Sequence, residues 1–194
     1  MKEYKLPIGC DVPETIILAD GDFPSHPLAL EWLRQCPYVV CCDGAANTYI
    51  RSGRMPEAIV GDGDSLLPDI KERYASLIHS EAEQETNDLS KAFRFCLSQE
   101  RKRITIMGAT GKREDHTIGN VSLLADYMEQ AEVSMMTDYG IFVPIREDSM
   151  FESYIGQQIS VFNMNSTALS AEGLAYPLSV FTNWWQGTLN EALA

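Results

Sequence analysis

Residues 60–69 read VGDGDSLLPD, and two acids, Asp62 and Asp64, flank a single glycine at the end of an apolar run. Carboxylates this close repel each other, and a turn would be served by one of them. A divalent cation between them removes the conflict, because Mg²⁺ takes oxygen ligands and keeps part of its shell for waters and substrate phosphates. The pair therefore favours a magnesium site.

Further acids stand where other elements are predicted to begin or end. Asp43 ends the apolar run YVVCCDG, Asp115 lies in the loop after RKRITIMGATG, and Asp88 opens the clearest helix of the chain. The carboxyl ends of parallel strands meet at one rim of a sheet, so we expect these acids to converge on Asp62 and Asp64. Any one of them is equally well explained as a turn former, but the set favours the metal.

A second cluster, GATGKREDHTIGN (108–120), combines glycines with basic side chains. Gly108 and Gly111 leave backbone N–H groups free for an anion, and Lys112 and Arg113 add positive charge just before a predicted helix. The loop is not a Walker A loop, because the GxxxxGK[ST] pattern is absent from the sequence. The cluster indicates an anion site at a helix N-terminus.

Lys91 lies three residues after Asp88, on the same predicted helical face. Spacing alone leaves two interpretations open: a surface ion pair of little energetic value, or a cation that reaches phosphates while Asp88 reaches the metal. Together with the acids, these residues predict a magnesium-dependent enzyme acting on a nucleotide or another phosphorylated ligand. Phosphoryl-type transfer needs mainly positioning and charge neutralisation, which these residues supply.

The elements expected to position these residues alternate along the chain. Short apolar runs predict buried strands within residues 15–20, 38–44, 57–65 and 101–111. Helical spacing predicts helices within residues 27–35, 45–53, 68–77, 87–100 and 117–130. Strands that are apolar throughout and alternate with helices predict an α/β fold, with a parallel, Rossmann-like sheet covered on both faces.

The pattern changes near residue 132, where short β-type runs separated by turn residues begin. This predicts an antiparallel β domain. We therefore expect two domains: residues 1–131 as an α/β nucleotide- and magnesium-binding catalytic domain, and residues 132–194 as a smaller β domain.

Composition limits the partners. The formal net charge is −13, from 28 acidic and 15 basic residues, which repels phosphate backbones and argues against nucleic acid as a partner. The five cysteines show no CxxC spacing, which favours buried thiols over disulfides or zinc. The sequence contains no signal-peptide pattern and no apolar stretch of about 18 residues, so we expect a cytoplasmic protein without a membrane partner.

Four segments together resemble the thiamin pyrophosphokinase family in order and spacing: CDGAAN (42–47), GDGDS (61–65), QETNDLSKA (84–92) and GATGKREDHTIGN (108–120). The resemblance implies an N-terminal α/β catalytic domain and a C-terminal β-sandwich on the thiamin side. It also implies a homodimer with active sites at the subunit interface. The implied reaction transfers the diphosphate group of Mg-ATP to the hydroxyl of thiamin, giving thiamin diphosphate and AMP.

The resemblance also assigns roles to individual residues. The catalytic acids are Asp43, Asp62, Asp64 and Asp88, of which the last three match the family's metal ligands. The residues that match the family's nucleotide site are Gln84, Lys91, Gly108, Gly111, Arg113, Asp115, His116 and Asn120. In GLAYPL (173–178) and GTLNE (187–191), the residues that match the thiamin side are Tyr176, Thr188 and Asn190. An aromatic face against a cationic heterocycle is favourable in its own right.

The chain departs from the family pattern at several positions. Gly63 stands where an aromatic is common, and the other departures are Ala45 for Gly, Asn87 for Thr, Lys112 for Gly and Leu189 for Ser. The sequence ends at Ala194, before the family's last strands, so we expect an incomplete second domain. Two alternatives stay open: a magnesium-dependent phosphohydrolase with an aspartate nucleophile in Asp20-Gly21-Asp22, and a non-catalytic nucleotide or thiamin sensor.

Overall fold

The computed structural model describes residues 1–81, 83, 85–164, 166, 169–176, 178 and 188–193. The chain divides into two compact units, residues 8–146 and residues 1–7 together with 147–194. The strands, numbered in chain order through both units, are β1 Lys2–Tyr4, β2 Thr15–Leu18, β3 Val39–Cys42, β4 Ala58–Gly61, β5 Ile78–Ser80, β6 Arg103–Met107, β7 Glu132–Met136, β8 Ile141–Phe142, β9 Ser149–Phe151, β10 Gln158–Val161 and β11 Thr188–Glu191. The helices are α1 Pro27–Gln35, α2 Ala45–Arg51, α3 Pro68–Arg73, α4 Asp88–Ser98 and α5 Glu114–Tyr127, and a 3₁₀ turn spans Ala75–Leu77.

The larger unit is built on a seven-stranded sheet in the order β5-β4-β3-β2-β6-β7-β8. Every neighbouring pair is parallel except β7 and β8, which are antiparallel. The mainly parallel α/β architecture predicted from the sequence is confirmed. The central strands are apolar on both sides because helices cover both faces of the sheet.

Alternate residues of each central strand pack in opposite directions. On one face, Ile17, Val40 and Val60 pack with Phe93 of α4 and Leu124 of α5. The opposite face packs against α1, α2 and α3, with a core that includes Ile16, Leu18, Cys41, Ile59, Trp32, Leu33, Tyr49 and Ile70. Burial of this apolar surface holds the strands in register and fixes the rim at their carboxyl ends.

Two elements differ from the prediction. Helix α5 begins at Glu114 rather than at residue 117, because the acidic pair Glu114 and Asp115 suits the first turn of a helix. Strand β7 hydrogen-bonds parallel to β6 and joins the main sheet. The larger unit therefore extends to residue 146, whereas the predicted boundary lay at 131/132. A short apolar strand has the same pattern in either type of sheet, which is why the sequence did not separate the two cases.

In its described residues, the smaller unit contains two two-stranded sheets. β1 pairs in parallel with β9, where the rings of Tyr4 and Phe151 stack with centroids 4.7 Å apart. β10 and β11 pair antiparallel, and a bridge between Leu174 and Ala192 extends this sheet. The prediction of a smaller antiparallel β region is confirmed, but the contribution of the first seven residues to this unit was not predicted. None of the helices in the described ranges combines the length and the apolar character needed to cross a membrane.

Candidate metal and nucleotide site

Three acids converge at the carboxyl ends of β3 and β4. Asp43, Asp62 and Asp64 each place a carboxylate oxygen within 4.8 Å of the others. The two strands are direct neighbours, with Cys42 opposite Val60 in the register, and the backbone N–H of Asp43 donates to the carbonyl of Val60 at 2.9 Å. The structure thus brings these three predicted residues together, and their hard oxygen donors suit Mg²⁺. We call them the acid triad.

Asp43 is the buried member of the acid triad, with 2% of its surface exposed. Its Oδ2 accepts a hydrogen bond from the backbone N–H of Ser65 at 3.0 Å, whereas its buried Oδ1 has no hydrogen-bond partner among the described residues. Burial raises the pKa of Asp43, the bond from Ser65 opposes the rise, and the carboxyl groups of Asp88, Asp64 and Asp62 add to it. A buried acceptor oxygen facing other carboxylates fits a cation ligand.

The loop that carries Asp62 and Asp64 is held from two helices. Asn47 on α2 donates from Nδ2 to the carbonyl of Ser65 at 2.8 Å and accepts from the N–H of Leu67 at 3.0 Å. Lys71 on α3 donates from Nζ to the carbonyl of Gly63 at 2.8 Å. Sequence reasoning did not single out either residue. The sequence did contain a signal for Asn47, the last residue of the CDGAAN segment. A side-chain amide near the start of a helix at a polar rim has both a donor and an acceptor that need hydrogen-bond partners.

Gly63 has a positive φ of 77°, which favours glycine, and a Cβ at this position would lie 3.2 Å from Lys71 Nζ. The residue that departs from the family pattern therefore gives the Lys71 ammonium room beside the loop. Within the loop, the N–H of Asp64 donates to Asp62 Oδ1 at 3.1 Å, and the Ser65 hydroxyl donates to Asp64 Oδ1 at 2.9 Å. The backbone and these side chains hold the two acids in one orientation.

Asp88 and Lys91 form an ion pair at the start of α4, with Lys91 Nζ 3.0 Å from Asp88 Oδ1. Only 3% of the Lys91 side chain is exposed, so the pair is not the solvated surface contact that was one of the two interpretations. Burial alone would lower the pKa of Lys91, but the hydrogen bond and charge of Asp88 outweigh it and the pKa is raised, which keeps the ammonium charged. The carboxyl group of Asp88 lies near the acid triad, because a Cβ on Gly61 would lie 3.3 Å from the carboxyl carbons of both Asp43 and Asp88.

The loop between β6 and α5 rests on the loop between β2 and α1. The N–H of Gly21 donates to the carbonyl of Gly108 at 2.6 Å, and the N–H of Asp22 donates to the carbonyl of Thr110 at 2.9 Å. Gly108 and Gly111 both have positive φ, of 64° and 80°, a backbone conformation that favours glycine. The side chain of Asp22 fills the space beside Gly111, since a Cβ on that glycine would lie 2.1 Å from Asp22 Oδ2.

The charged side chains of the β6–α5 loop are paired within the protein. Lys112 Nζ donates to both the carbonyl and Oδ1 of Asp20, each at 3.0 Å. Arg113 precedes α5 and binds Asp115 through two contacts, Nη2 to Oδ2 at 2.6 Å and Nε to Oδ1 at 3.1 Å. The hydrogen bonds and charge of Arg113 lower the pKa of Asp115. His116 is exposed in the first turn of α5.

An open hollow of about 350 Å³ lies against this loop and the first turns of α5, lined by Gly111, Lys112, Arg113, Glu114, Thr117 and Ile118. It presents cationic groups beside a helix N-terminus, which is a suitable surface for an anion.

Asn120 links α5 to the start of α4. Its Nδ2 donates to the carbonyl of Ala109 at 2.8 Å, and its Oδ1 accepts from Asn87 Nδ2 at 3.0 Å. Asn87 also caps α4, because its Oδ1 accepts from the N–H of Ser90 at 2.9 Å. The two amides therefore join the helix that carries Asp88 to the loop that was predicted to bind phosphate.

The predicted thiamin-side residues lie in the smaller unit. Asn190 is 8% exposed. Its side-chain amide accepts a hydrogen bond from the backbone N–H of Tyr176 at 3.1 Å and donates one to the Tyr176 carbonyl at 2.7 Å. Tyr176 is 63% exposed. Thr188 begins β11. Gln84 lies outside the described residues.

Comparisons with known proteins identify the family that this chain resembles. A family model described as thiamin pyrophosphokinase, catalytic domain, matches residues 29–136, and one described as thiamin pyrophosphokinase, substrate-binding domain, matches residues 140–194. Thiamine pyrophosphokinase 1 of Oryza sativa subsp. japonica is 30% identical over 129 residues, covering 54% of this chain and 49% of that protein. The thiamine pyrophosphokinase of Bacillus subtilis (strain 168) is 34% identical over 86 residues, covering 42% of this chain and 40% of that protein.

The fold is shared with solved structures. Thiamin pyrophosphokinase from Candida albicans superposes with a TM-score of 0.73 at 19% identity, covering 98% of this chain and 86% of that one. This chain spans about half the length of the curated relatives from Oryza sativa and Caenorhabditis elegans that it matches. The catalytic-domain model alone accounts for more than half of the chain. The chain belongs to the thiamin pyrophosphokinase family.

Proposed function

We propose that this protein is a thiamin diphosphokinase that transfers the diphosphate group of Mg-ATP to the hydroxyl of thiamin, giving thiamin diphosphate and AMP. The observation that carries the proposal is the acid triad at one rim of a parallel sheet, with the ion pair of Asp88 and the buried Lys91 beside it. Family membership and the names of the relatives support the choice of substrates.

The acid triad fits a magnesium ion. Its donors are carboxylate oxygens, and one of them, Asp43 Oδ1, is buried without a partner among the residues that the structure describes. Asp62 and Asp64 would hold the ion, with Asp88 as the further ligand that the family resemblance implies and Asp43 beside them. When bound, Mg²⁺ would neutralise negative charge on the triphosphate.

The protein's own residues would do the rest of the positioning. Lys91 carries an ammonium that Asp88 holds in place, and Arg113 presents a planar guanidinium oriented by Asp115; both would bind phosphate oxygens. The backbone N–H groups of the loop around Gly108 and Gly111 would add uncharged donors. Holding the acceptor hydroxyl in line with the phosphate chain supplies much of the rate of such a transfer.

Thiamin would be bound by the smaller unit, where Tyr176 offers an aromatic face and where Thr188 and Asn190 lie. This region matches the family model described as a substrate-binding domain. We further propose a homodimer, because several large apolar side chains of this unit are exposed, among them Tyr154, Ile155, Phe162 and Tyr176. A cytoplasmic location is proposed from the free, buried thiols of Cys41, Cys42 and Cys96.

The test is AMP formation from Mg-ATP in the presence and absence of thiamin. We expect AMP and thiamin diphosphate in equal amounts, and no AMP without thiamin. Phosphate release without an acceptor, with a phosphorylated aspartate at Asp20 or Asp22, would instead identify a phosphohydrolase. Nucleotide or thiamin binding without any AMP would identify a sensor.

A further inference from the structure

The turn between β7 and β8 holds the loop between β2 and α1 through a single carboxylate. Asp138 Oδ1 accepts from the backbone N–H groups of Ser25 and His26, each at 2.9 Å. The hydroxyl of Ser25 donates to Asp138 Oδ2 at 2.5 Å. The hydrogen bonds from Ser25 and His26 lower the pKa of Asp138, which keeps it ionised as an acceptor. Charge-assisted bonds of this kind are stronger than neutral ones.

Asp138 is itself held in place. The hydroxyl oxygen of Thr137 accepts from the N–H groups of Tyr139 at 3.1 Å and Gly140 at 3.2 Å, and the N–H of Thr137 donates to the carbonyl of Gly140 at 2.9 Å. The turn is therefore closed on itself at the end of a strand of the main sheet. Because the turn is closed in this way, the contact with Asp138 constrains the β2–α1 loop more than it constrains the turn.

The sheet order places this contact beside the proposed nucleotide site. β6 lies between β2 and β7, so the contact joins the loops on either side of the β6–α5 loop. The β2–α1 loop in turn supports the β6–α5 loop through the N–H groups of Gly21 and Asp22 and through the ion pair of Asp20 with Lys112. The β6–α5 loop, which we propose to bind phosphate, therefore rests on the β2–α1 loop, and Asp138 holds the β2–α1 loop at its other end.

We propose that Asp138 is a positioning residue for nucleotide binding. Its carboxylate fixes the β2–α1 loop and, through that loop, the β6–α5 loop in the conformation that accepts the phosphates of ATP. The inference rests on the proposed function for the identity of the nucleotide. The alignment of the β6–α5 loop by Asp138 does not depend on that function. Among the described residues, the hydrogen bonds to the Asp138 carboxylate come from Ser25 and His26 and not from the acid triad or the phosphate-binding candidates, so its effect is expected on nucleotide binding and not on the chemistry.

The experiment compares Asp138→Asn, Asp138→Ala and Ser25→Ala with the unaltered full chain. Hydrogen exchange is measured at the amides of Gly21 and Asp22 and across residues 108–113, and binding of the α,β-methylene analogue of ATP is measured with Mg²⁺. We expect faster exchange at those amides and about tenfold weaker analogue binding in both Asp138 variants. Ser25→Ala keeps the hydrogen bonds from the two backbone N–H groups and should show a smaller shift of the same kind, so it tests the inference even if the Asp138 variants fold poorly.

Glu129→Gln is the matched control, because it removes another exposed carboxylate contact of this unit, the 2.6 Å pair with Arg146. It should leave exchange at residues 108–113 and analogue binding unchanged. Faster exchange confined to residues 25 and 26, or a rise in the KM for thiamin with that for ATP unchanged, would overturn the inference. Absence of AMP formation in the unaltered protein would count against the proposed function, whereas the exchange result would still decide the structural step.

Discussion

Lys91 Nζ lies 3.0 Å from Asp88 Oδ1, and the two groups differ in their access to water, with side-chain exposures of 3% and 36%. The cation is enclosed, and its partner carboxylate faces the rim where the acid triad lies. An enclosed ammonium has lost most of its hydration, so its interaction with an incoming anion is stronger than that of a surface lysine.

Replacing the cation tests this arrangement. We expect Lys91→Met to lower the rate of AMP formation by about a hundredfold or more, because a desolvated positive charge at the phosphates is lost. The free energy of unfolding should fall by only about 1 kcal/mol, since water can reach the remaining Asp88 carboxylate. Urea denaturation and a thiamin-dependent AMP assay measure the two effects. Lys102→Met, at an exposed lysine, should change neither, and equal activity in the two variants would refute a role for Lys91.

The metal ligands can be tested without turnover. Asp64→Asn should abolish diphosphate transfer and weaken Mn²⁺ binding by about tenfold or more, because one anionic oxygen of the acid triad is lost. The fold should be unaffected, since Asp64 is exposed. Calorimetric titration with Mn²⁺ and circular dichroism provide the readouts. Asp69→Asn removes a nearby exposed acid outside the triad and should bind Mn²⁺ normally; near-normal turnover in Asp64→Asn would remove the metal-site hypothesis.

Replacement of Asp43, which disables the site, is expected to increase the stability of the protein. Burial raises its pKa, so between the ordinary carboxyl pKa and this raised value the folded state binds more protons than the unfolded state. Stability therefore falls as the pH rises through that window and stays lower above it. We expect Asp43→Asn to be more stable by roughly 1 kcal/mol at pH 7, with little or no gain at a pH below the ordinary carboxyl range.

Magnesium separates this interpretation from a simple packing effect. Mg²⁺ should raise the thermal midpoint of the unaltered protein, because it offsets the repulsion among the carboxylates, and should raise that of Asp43→Asn less. Thermal unfolding at both pH values, with and without Mg²⁺, measures this. A variant that is equally stabilised at every pH would show that the ionised carboxylate is not the cause.

Lys71 offers a milder test of the loop that carries two of the three acids. We expect Lys71→Met to weaken Mn²⁺ binding by roughly threefold, because the hydrogen bond that fixes the carbonyl of Gly63 is lost. Arg73→Met, on the same helix, removes a cation that lies over the Tyr74 ring and does not bond the loop. The same titration applied to both variants decides whether the effect belongs to the Lys71 contact or to the loss of any positive charge.

The sequence was sufficient to predict the elements with strong periodicity. The all-apolar runs that became β2, β3, β4 and β6 lie in one parallel sheet, and the acids that follow β3 and β4 meet at its rim, because topology alone places consecutive strand ends together. Helix α1 was predicted over the same residues that the structure assigns to it, since Pro27 fixes its first turn.

Contacts between distant side chains could not be predicted in the same way. Three sets of contacts depend on residues that are neighbours only in three dimensions. They are the hydrogen bonds of Asn47 and Lys71 to the acidic loop, the paired amides of Asn87 and Asn120, and the bond from Ser25 to Asp138. A local pattern carries no information on them. Lys112 is a further example: its charge indicated a phosphate ligand, and the structure pairs it with Asp20.

The pairing of β1 with β9 has a consequence for biosynthesis. Lys2 is aligned with Ser149, so β1 has its partner strand only after more than a hundred further residues have been made. The larger unit consists of residues 8–146 alone, and compact units generally fold as wholes, so we expect it to fold in the meantime. We therefore expect nascent chains stalled after residue 146 to hold a protease-resistant sheet within residues 8–146 and a protease-sensitive segment over residues 1–7, and the smaller unit to form only after its remaining residues have been made.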